Sequence, residues 1–336
     1  MPFRNRPSSA RRSGAQDHVV PPAHSVTSAL VFAYHDIGCR CLEVLLDQGV
    51  EVPLVVTHRD SPAESIWFGS VADLARERRI EAVTPDDPNT PEFLGRIRAL
   101  RPDFLFSFYY RLMLKPALLA VPKRGAFNMH GSLLPKYRGR APVNWAILHG
   151  ETQTGPTLHE MAEKPDAGRI VDQEAVPILP DETALEVFGK VTAAAGRILE
   201  RSLPRLIDGS ATLRAQDLSK GSYFGGRRPE DGRIDWSAPA KRIHDLVRAV
   251  APPYPAAFTE IEGKRLRVLR TRRSTGKSGV PASPYLHARD GRCHAVCADG
   301  DGLELLEVEL DGRALSAQEF AVRIGDRRIA LPREPK

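Results

Sequence analysis

The chain has 336 residues, enough for two domains and a sizeable core, so neither a disulfide scaffold nor a metal-stapled mini-domain is required. Its hydrophobic fraction of 42% and charged fraction of 27% exclude wholesale disorder, and no apolar run approaches the ~20 residues of a membrane span, so a soluble protein is expected. Residues 1–27 hold Arg4, Arg6, Arg11 and Arg12 against Asp17, which is half of the net +6, so the basic excess is a weak argument for nucleic acid.

Those first 27 residues are rich in Arg, Ser and Pro, lack the apolar stretch of a secretory signal and are interrupted at Pro21-Pro22; a disordered extension is expected, with the fold beginning near Ser28. Ala29–Tyr34 is a short apolar run followed by Gly38, and residues 39–49 then carry helical spacing up to Gly49. Val52–Thr57 is a second buried run, Ser70–Arg79 a helix with a basic last turn, and Pro91–Leu100 a further helix. Asp103–Tyr110 is a third run and Ala126–Met129 a fourth, which leads straight into a glycine-bearing loop. Runs alternating with helices predict an α/β fold, a Rossmann-like and mostly parallel sheet with helices on both faces. Such sheets bind ligands at the carboxyl ends of their strands, which marks the loop after Met129.

Thr157–Met161 and Arg169–Pro177 flank Lys164–Gly168 as an antiparallel hairpin. Thr183–Leu203 reads as a long helix capped by Thr183, with Leu185, Phe188, Val191 and Ile198 on its apolar face. From Asp208 to Arg228 the composition turns polar and Gly-rich, which suits a linker. The short runs FTEIE, RLRVLRT, CHAVCA and LELLEVEL then predict a small antiparallel β-barrel, OB-like in size. The expected division is a tail over 1–27, a catalytic α/β domain over 28–208, a linker over 209–228 and a barrel domain over 229–330. Cys39, Cys41, Cys293 and Cys297 lack zinc-ligand spacing and are expected to be reduced thiols.

The chemistry concentrates in Phe127–Pro142, FNMHGSLLPKYRGRAP. Asn128 and His130 are two apart, so on a strand end they share a face, and Gly131 lets the chain turn after them. An amide donor beside an imidazole suits holding an oxyanion and handling a proton, although Asn-x-His alone also suits a hydrogen-bonded turn. The fingerprints of acyl-serine, P-loop and dinucleotide sites are absent, and no metal-ligand spacing flanks the loop.

Asn128, His130, Gly131, Ser132, Leu133, Leu134, Pro135, Tyr137, Arg138 and Gly139, followed by Asp166, Ala167 and Gly168, resemble the signature of the folate-dependent formyltransferases. The resemblance runs from about Leu30 to Phe258 and includes VFAYHDIGC, SFYYRLML, GRAPVNWAILHGET and LVRAVAPPYPAAF; the last stretch matches loosely. Within the family these segments are similar to the branch that formylates UDP-4-amino-4-deoxy-L-arabinose in lipid A modification and polymyxin resistance. The resemblance implies that 10-formyltetrahydrofolate donates the formyl group, that no metal is used, and that the acceptor is a UDP-aminosugar. It implies that Asn128 stabilises the transition state, that His130 is the proton donor, and that Asp166 raises the pKa of that histidine. It also implies that Leu112, Met113, Leu114, Arg140, Ala162, Glu163, Lys164 and Pro165, with Asp166, contact the folate carrier. A cytoplasmic enzyme is implied, without nucleic acid or membrane insertion.

Other residues read as structural. His35, His58, His149 and His159 suit core or surface positions, Ser132 has no base at its own spacing, and Phe108, Tyr109 and Tyr110 suit a pocket wall. Arg138, Arg227 and Arg228 suit a solvated loop as well as a sugar-nucleotide diphosphate. The competing functions are methionyl-tRNA formyltransferase, formylation of another aminosugar nucleotide, and non-catalytic binding on the same fold. The tRNA enzymes carry a VVAYG-like segment where this chain has SFYYR, and GAAP where it has GRAP. Without a dinucleotide fingerprint, a stand-alone formyltransferase is expected, with any preceding oxidation left to another protein.

Overall fold

The computed structural model describes residues 26–62, 64–274 and 282–332. The tail expected to be disordered lies outside them except for Val26 and Thr27. Thr27 already belongs to the fold, because its carbonyl accepts the Glu51 N–H at 2.9 Å.

The first half of the chain runs β1 (Ala29–Ala33), α1 (His35–Asp47), β2 (Val55–Val56), α2 (Val71–Glu77), β3 (Ala82–Val83), α3 (Pro91–Leu100), β4 (Phe104–Phe108), α4 (Pro116–Leu119) and β5 (Ala126–His130). It continues through β6 (Arg138–Gly139), α5 (Pro142–Leu148), β7 (Gln153–Thr154), β8 (Thr157–Glu160), β9 (Ile170–Gln173), β10 (Val176–Pro177) and α6 (Ala184–Asp208). The main sheet has the order β3-β2-β1-β4-β5-β8-β9. Its first five strands are parallel, and β8 and β9 close it antiparallel. The parallel strands β1 and β4 are apolar throughout because both of their faces are covered.

After β11 (Tyr223–Phe224) and α7 (Ala240–Ala249) come β12 (Ala257–Ile261), β13 (Lys264–Arg273), β14 (Tyr285–Arg289), β15 (Arg292–Val296), β16 (Gly302–Leu310), β17 (Arg313–Ser316), α8 (Ala317–Ile324) and β18 (Arg328–Ala330). These strands form an antiparallel sheet, β12-β13-β16-β15-β14-β18 with β17 on β16, curled into a half-barrel. Helix α7 joins the two layers. Its backbone accepts from Asn144 of α5 (Nδ2 to Ala249 O, 2.8 Å), and His244 bridges Thr271 Oγ1 at 2.8 Å and the Pro180 carbonyl at 2.9 Å.

Several expectations are corrected in detail. Helix α1 starts at His35, so Gly38 lies inside it rather than before it. Val176–Pro177 does not prolong β9 but pairs with β7. Helix α6 has the predicted Thr183 cap, closed as a capping box with Glu186, yet it runs past Leu203 through Pro204 to Asp208. Proline deprives the Glu200 carbonyl of its helical donor, and Gln48 Nε2 of α1 replaces it at 2.9 Å. Leu185, read as part of the apolar face, is 40% exposed because the buried stripe of α6 runs through Ala184, Val187, Phe188 and Val191, and Leu185 lies to one side of it. All four cysteines are free, and burial pushes Cys293 and Cys297 up to about 12.

The polar segment after α6 is more than a connector. Arg214 and Ile170 exchange backbone hydrogen bonds at 2.7 and 2.8 Å, and β11 pairs in parallel with β6. The stretch that joins the two layers therefore lies over the loop that follows β5.

Candidate active site

Asn128 and His130 stand at the carboxyl end of β5, beside the end of β4. The loop after them is pinned from below. Thr157 Oγ1 donates to the Ser132 carbonyl at 2.6 Å and accepts the Leu134 N–H at 3.1 Å; Gln173 Nε2 donates to the Leu134 carbonyl at 2.8 Å. Ser132 Oγ donates to the Lys136 carbonyl at 2.7 Å, which makes it a turn anchor. Gly139 has φ +98, and a Cβ there would stand 2.1 Å from the Phe224 carbonyl oxygen, so only glycine lets β11 settle on β6.

Asp166 arrives from the turn between β8 and β9, with φ +53. One oxygen accepts the Gly139 N–H at 2.9 Å; the other lies 3.6 Å from His130 Nδ1 and 3.6 Å from His159 Nε2. Asp166 thus ties two loops together rather than closing its own turn. Burial opposes its ionisation, but the charge of His130 and the Gly139 N–H outweigh it, and the carboxyl is held well below the usual range. The group is a fixed negative charge through the neutral range.

The His130 ring is buried, and its Nε2 lies 2.8 Å from the Tyr137 carbonyl. A carbonyl only accepts, so Nε2 carries a hydrogen there and Nδ1 is the nitrogen that faces Asp166. Asn128 Nδ2 lies 3.2 Å from His159 Nε2, while His159 Nδ1 lies 2.8 Å from the Glu160 carbonyl. One tautomer satisfies both contacts: Nδ1 donates to the carbonyl and Nε2 accepts from the amide. His159 therefore orients Asn128 and borders Asp166. The sequence reading made it a structural residue; only the antiparallel register of β5 and β8, which sets Asn128 opposite His159, reveals the contact.

Of the residues that the resemblance gives to the folate carrier, Arg140 follows Gly139 and Ala162 to Pro165 precede Asp166 in the chain. Leu112 and Met113, 38% and 58% exposed, are held in a loop by Asn89, whose Nδ2 donates to the Met113 carbonyl at 2.9 Å. Leu114 is buried. Ala162, Glu163 and Lys164 are exposed and Pro165 half-buried on the turn that carries Asp166; Arg140 is exposed, with its N–H on the Phe224 carbonyl at 3.0 Å. Exposed leucine and methionine next to a strand end suit the flat face of a pterin. The structure brings Asn128, His130 and Asp166 together.

His35 and His58 lie in an aromatic cluster across the end of β1, stacked on Phe68 and Tyr110 with ring centroids 3.9 and 4.2 Å apart. Burial pulls their pKa values down to about 3 and about 4, so both are neutral packing groups. His149 stacks between Tyr137 and Trp145. Among the described residues no group of His, Cys, Asp and Glu is arranged to hold a metal ion, and no helix is long and apolar enough to cross a membrane.

A family model described as formyl transferase matches residues 35–203, and one described as formyl transferase, C-terminal domain, matches residues 227–324. Among solved structures the chain is similar to an N-formyltransferase from Helicobacter canadensis in complex with folinic acid and dTDP-3-aminofucose. The TM-score is 0.67 at 20% identity, over 84% of this chain and 99% of that one. It is also similar to WlaRD, a sugar 3N-formyl transferase solved in the presence of dTDP and 5-N-formyl-THF, with a TM-score of 0.65 at 19% identity over 83% and 97% of the two chains. A sugar N-formyltransferase from Shewanella matches at 0.57 and 18%, over 73% and 97%. At these identities the likeness is one of fold.

Proposed function

The chain belongs to the formyltransferase family, and on that premise we propose that it is a sugar N-formyltransferase that takes its formyl group from 10-formyltetrahydrofolate and delivers it to the 4-amino group of UDP-4-amino-4-deoxy-L-arabinose. The observation that carries the reading is the convergence of Asn128, His130 and Asp166 at the end of β5, with the carboxylate 3.6 Å from the imidazole. When bound, the carrier supplies the formyl carbon. Leu112, Met113 and Leu114, with Arg140 and Ala162 to Pro165, hold it against the end of β4. The acceptor amine forms a bond to the formyl carbon, the carrier's N10–formyl bond breaks, and the proton lost by the amine is returned to N10. Asn128 donates to the oxygen on which negative charge grows, a contact worth roughly 3–4 kcal/mol at a single donor. His130 moves the proton at Nδ1, beside the Asp166 charge.

The same reading assigns residues 28–208 to catalysis and 229–330 to a second domain joined by 209–228. It places the enzyme in the cytoplasm and its product in lipid A modification, with polymyxin resistance as the outcome. The segments SFYYR and GRAP support the UDP-aminosugar branch over the tRNA enzymes. A second reading, a dTDP-linked aminosugar, is favoured by the dTDP-3-aminofucose in the Helicobacter canadensis structure. The test supplies 10-formyltetrahydrofolate with UDP-4-amino-4-deoxy-L-arabinose, a dTDP-3-amino sugar or charged initiator tRNA. Formylation of the UDP-sugar is expected; transfer to the tRNA alone overturns the reading.

His159 gives a further prediction. His159→Ala frees the Asn128 amide, and kcat is expected to fall roughly tenfold or more with the acceptor KM little changed. An unchanged kcat in the folded variant removes His159 from the positioning of Asn128.

A further inference from the structure

A cavity of about 300 Å³ opens between the last turn of α3 and the end of α4, lined by Arg98, Arg101, Ala117, Ala120, Val121 and Lys123. It lies at the amino ends of β4 and β5, where the Lys123 N–H donates to the Pro102 carbonyl at 3.1 Å. Three of its lining residues are cations and none is acidic. Arg98 and Arg101 are exposed, and among the described residues their side chains make no hydrogen bond and no ion pair. Lys123 Nζ donates to one carboxylate, Asp103, at 3.1 Å, and that carboxylate also accepts the Ser28 N–H at 3.0 Å. Neighbouring arginines are engaged: Arg96 pairs with Glu81 at 2.6 Å, and Arg124 donates to the Leu206 carbonyl at 3.0 Å. The dipole of α3 accounts for Arg98 in its last turn. It does not account for Lys123, which comes from another segment, nor for Arg101, which caps the helix at φ +48, where glycine is the usual residue.

The same two helices meet the loop of Leu112 to Leu114 at their other ends. Asn89, just before α3, donates from Nδ2 to the Met113 carbonyl at 2.9 Å and accepts the Lys115 N–H at 2.7 Å. Ile97 of α3 shares one core cluster with Leu114 and with Leu118 of α4, so the two helices lie side by side on one face of the sheet. Ala117, on the cavity wall, is three residues from Leu114, and three Cα steps span at most about 11 Å. The chain between them is exposed at Lys115, Pro116 and Ala117. A ligand seated on the exposed Leu112 and Met113 therefore has an open path along α4 to the basic cavity.

We propose that this cavity holds the carboxylates of γ-linked glutamates that lengthen the tail of the folate carrier, so that the enzyme prefers a polyglutamylated carrier to the monoglutamate. This rests on the reading that Leu112 to Leu114 contact the carrier. Each added glutamate brings one carboxylate on a flexible stem, and a row of spaced anions suits cations set on the two walls of an open cavity. A guanidinium fork matches a carboxylate in pairs of hydrogen bonds. Each exposed pair contributes little, and the contributions combine because the tail is already tethered by the pterin end. Arg98 and Arg101 touch the tail and take no part in formyl transfer, so their effect falls on KM and not on kcat.

The test compares KM and kcat of the full chain for 10-formyltetrahydrofolate as the monoglutamate and as the pentaglutamate. In the wild type the pentaglutamate KM is expected to be roughly 3–30-fold lower at equal kcat, the combined range of two or three exposed ion pairs. The gap is expected to narrow at about 0.5 M salt, which screens exposed charges. The double variant Arg98→Gln, Arg101→Gln is expected to bring the two KM values within about twofold while the monoglutamate KM stays as in the wild type. Arg96→Gln, on the same helix but paired with Glu81, is the control and is expected to keep the preference. Equal wild-type KM values, a preference that survives in the double variant, or a rise of both KM values together overturns the assignment and leaves the carrier reading standing. Where the double variant does not fold, Lys123→Gln takes its place, and an unaltered preference there overturns the assignment. Tripolyphosphate is expected to raise the pentaglutamate KM alone; an equal effect on both carriers makes the cavity a site for a free anion and overturns the assignment. A wild-type protein that transfers no formyl group from either carrier sinks the carrier reading and the assignment with it.

Discussion

Asp166→Asn is expected to lower kcat by about 10²-fold or more, the scale of a lost acid–base contribution, while the protein stays folded. The substitution preserves volume, and the amide oxygen can still accept the Gly139 N–H that the carboxylate accepts at 2.9 Å. What disappears is a negative charge 3.6 Å from the Nδ1 of His130 and equally close to His159. A charge that acts on the proton held at His130 makes the deficit depend on pH, whereas a purely structural role leaves it constant. The effect is best read in kcat at saturating substrate, because protonation of the acceptor amine limits recovery at low pH. In the double variant with His130→Ala, the loss is expected to be no larger than in His130→Ala alone, because the two groups act as a unit. A kcat and pH profile like the wild type's means that Asp166 only holds the Gly139 N–H.

The same carboxyl predicts an acid response. Its folded pKa is depressed, so its ionised form contributes stability above the unfolded carboxylate value of about 3.9, and that stability drains away as pH falls through the folded value. Asp166→Asn lacks this contribution. Wild type is expected to melt higher at neutral pH, and the two melting temperatures to converge below about pH 4. A constant difference from neutral pH to pH 3 refutes the charge as its source.

Gly168→Ala is the second large effect. A Cβ at Gly168 would stand 1.8 Å from the Glu160 carbonyl oxygen, a backbone atom of β8 that no rotamer can move. The β8 strand is held there by the Glu160 N–H on the Arg169 carbonyl at 2.8 Å, and Gln216 Nε2 clamps the Gly168 carbonyl at 2.6 Å. Relief requires the turn to lift, and Asp166 lifts with it. A cost of about 1–3 kcal/mol is expected, at about 2–4 °C of Tm per kcal/mol. A displacement of ~1 Å at the carboxylate is expected to cost on the order of 10²-fold in kcat. Gly189→Ala in α6, where a Cβ meets nothing within 4 Å, serves as the control and is expected to stabilise slightly. Wild-type melting and turnover in Gly168→Ala refute the account.

Much of this protein is legible in one dimension. The buried runs that become β1, β4 and β5, the Thr183 cap and the Pro91 helix start are local facts, set by apolar periodicity and by which residues satisfy a helix end. Asn128 and His130 were visible for the same reason, since two residues on one strand end share a face. The parallel sheet followed from alternation alone.

What the tertiary structure decided are the relations between distant segments. Asp166 reaches His130 only because β8 and β9 fold back antiparallel on β5, and His159 joins Asn128 only through the register of that pairing. The polar stretch after α6 looked like a passive linker, since composition reports solvation and not contact; β11 nevertheless pairs with the loop that carries Arg138. Leu185 looked buried and is 40% exposed, because apolar spacing says which residues could face the core, while packing put Ala184, Val187, Phe188 and Val191 there instead. The burial of a charge such as Arg138 cannot be read from the sequence, because it depends on a segment far along the chain: Arg138 is 8% exposed in the strip that pairs with Tyr223 and Phe224.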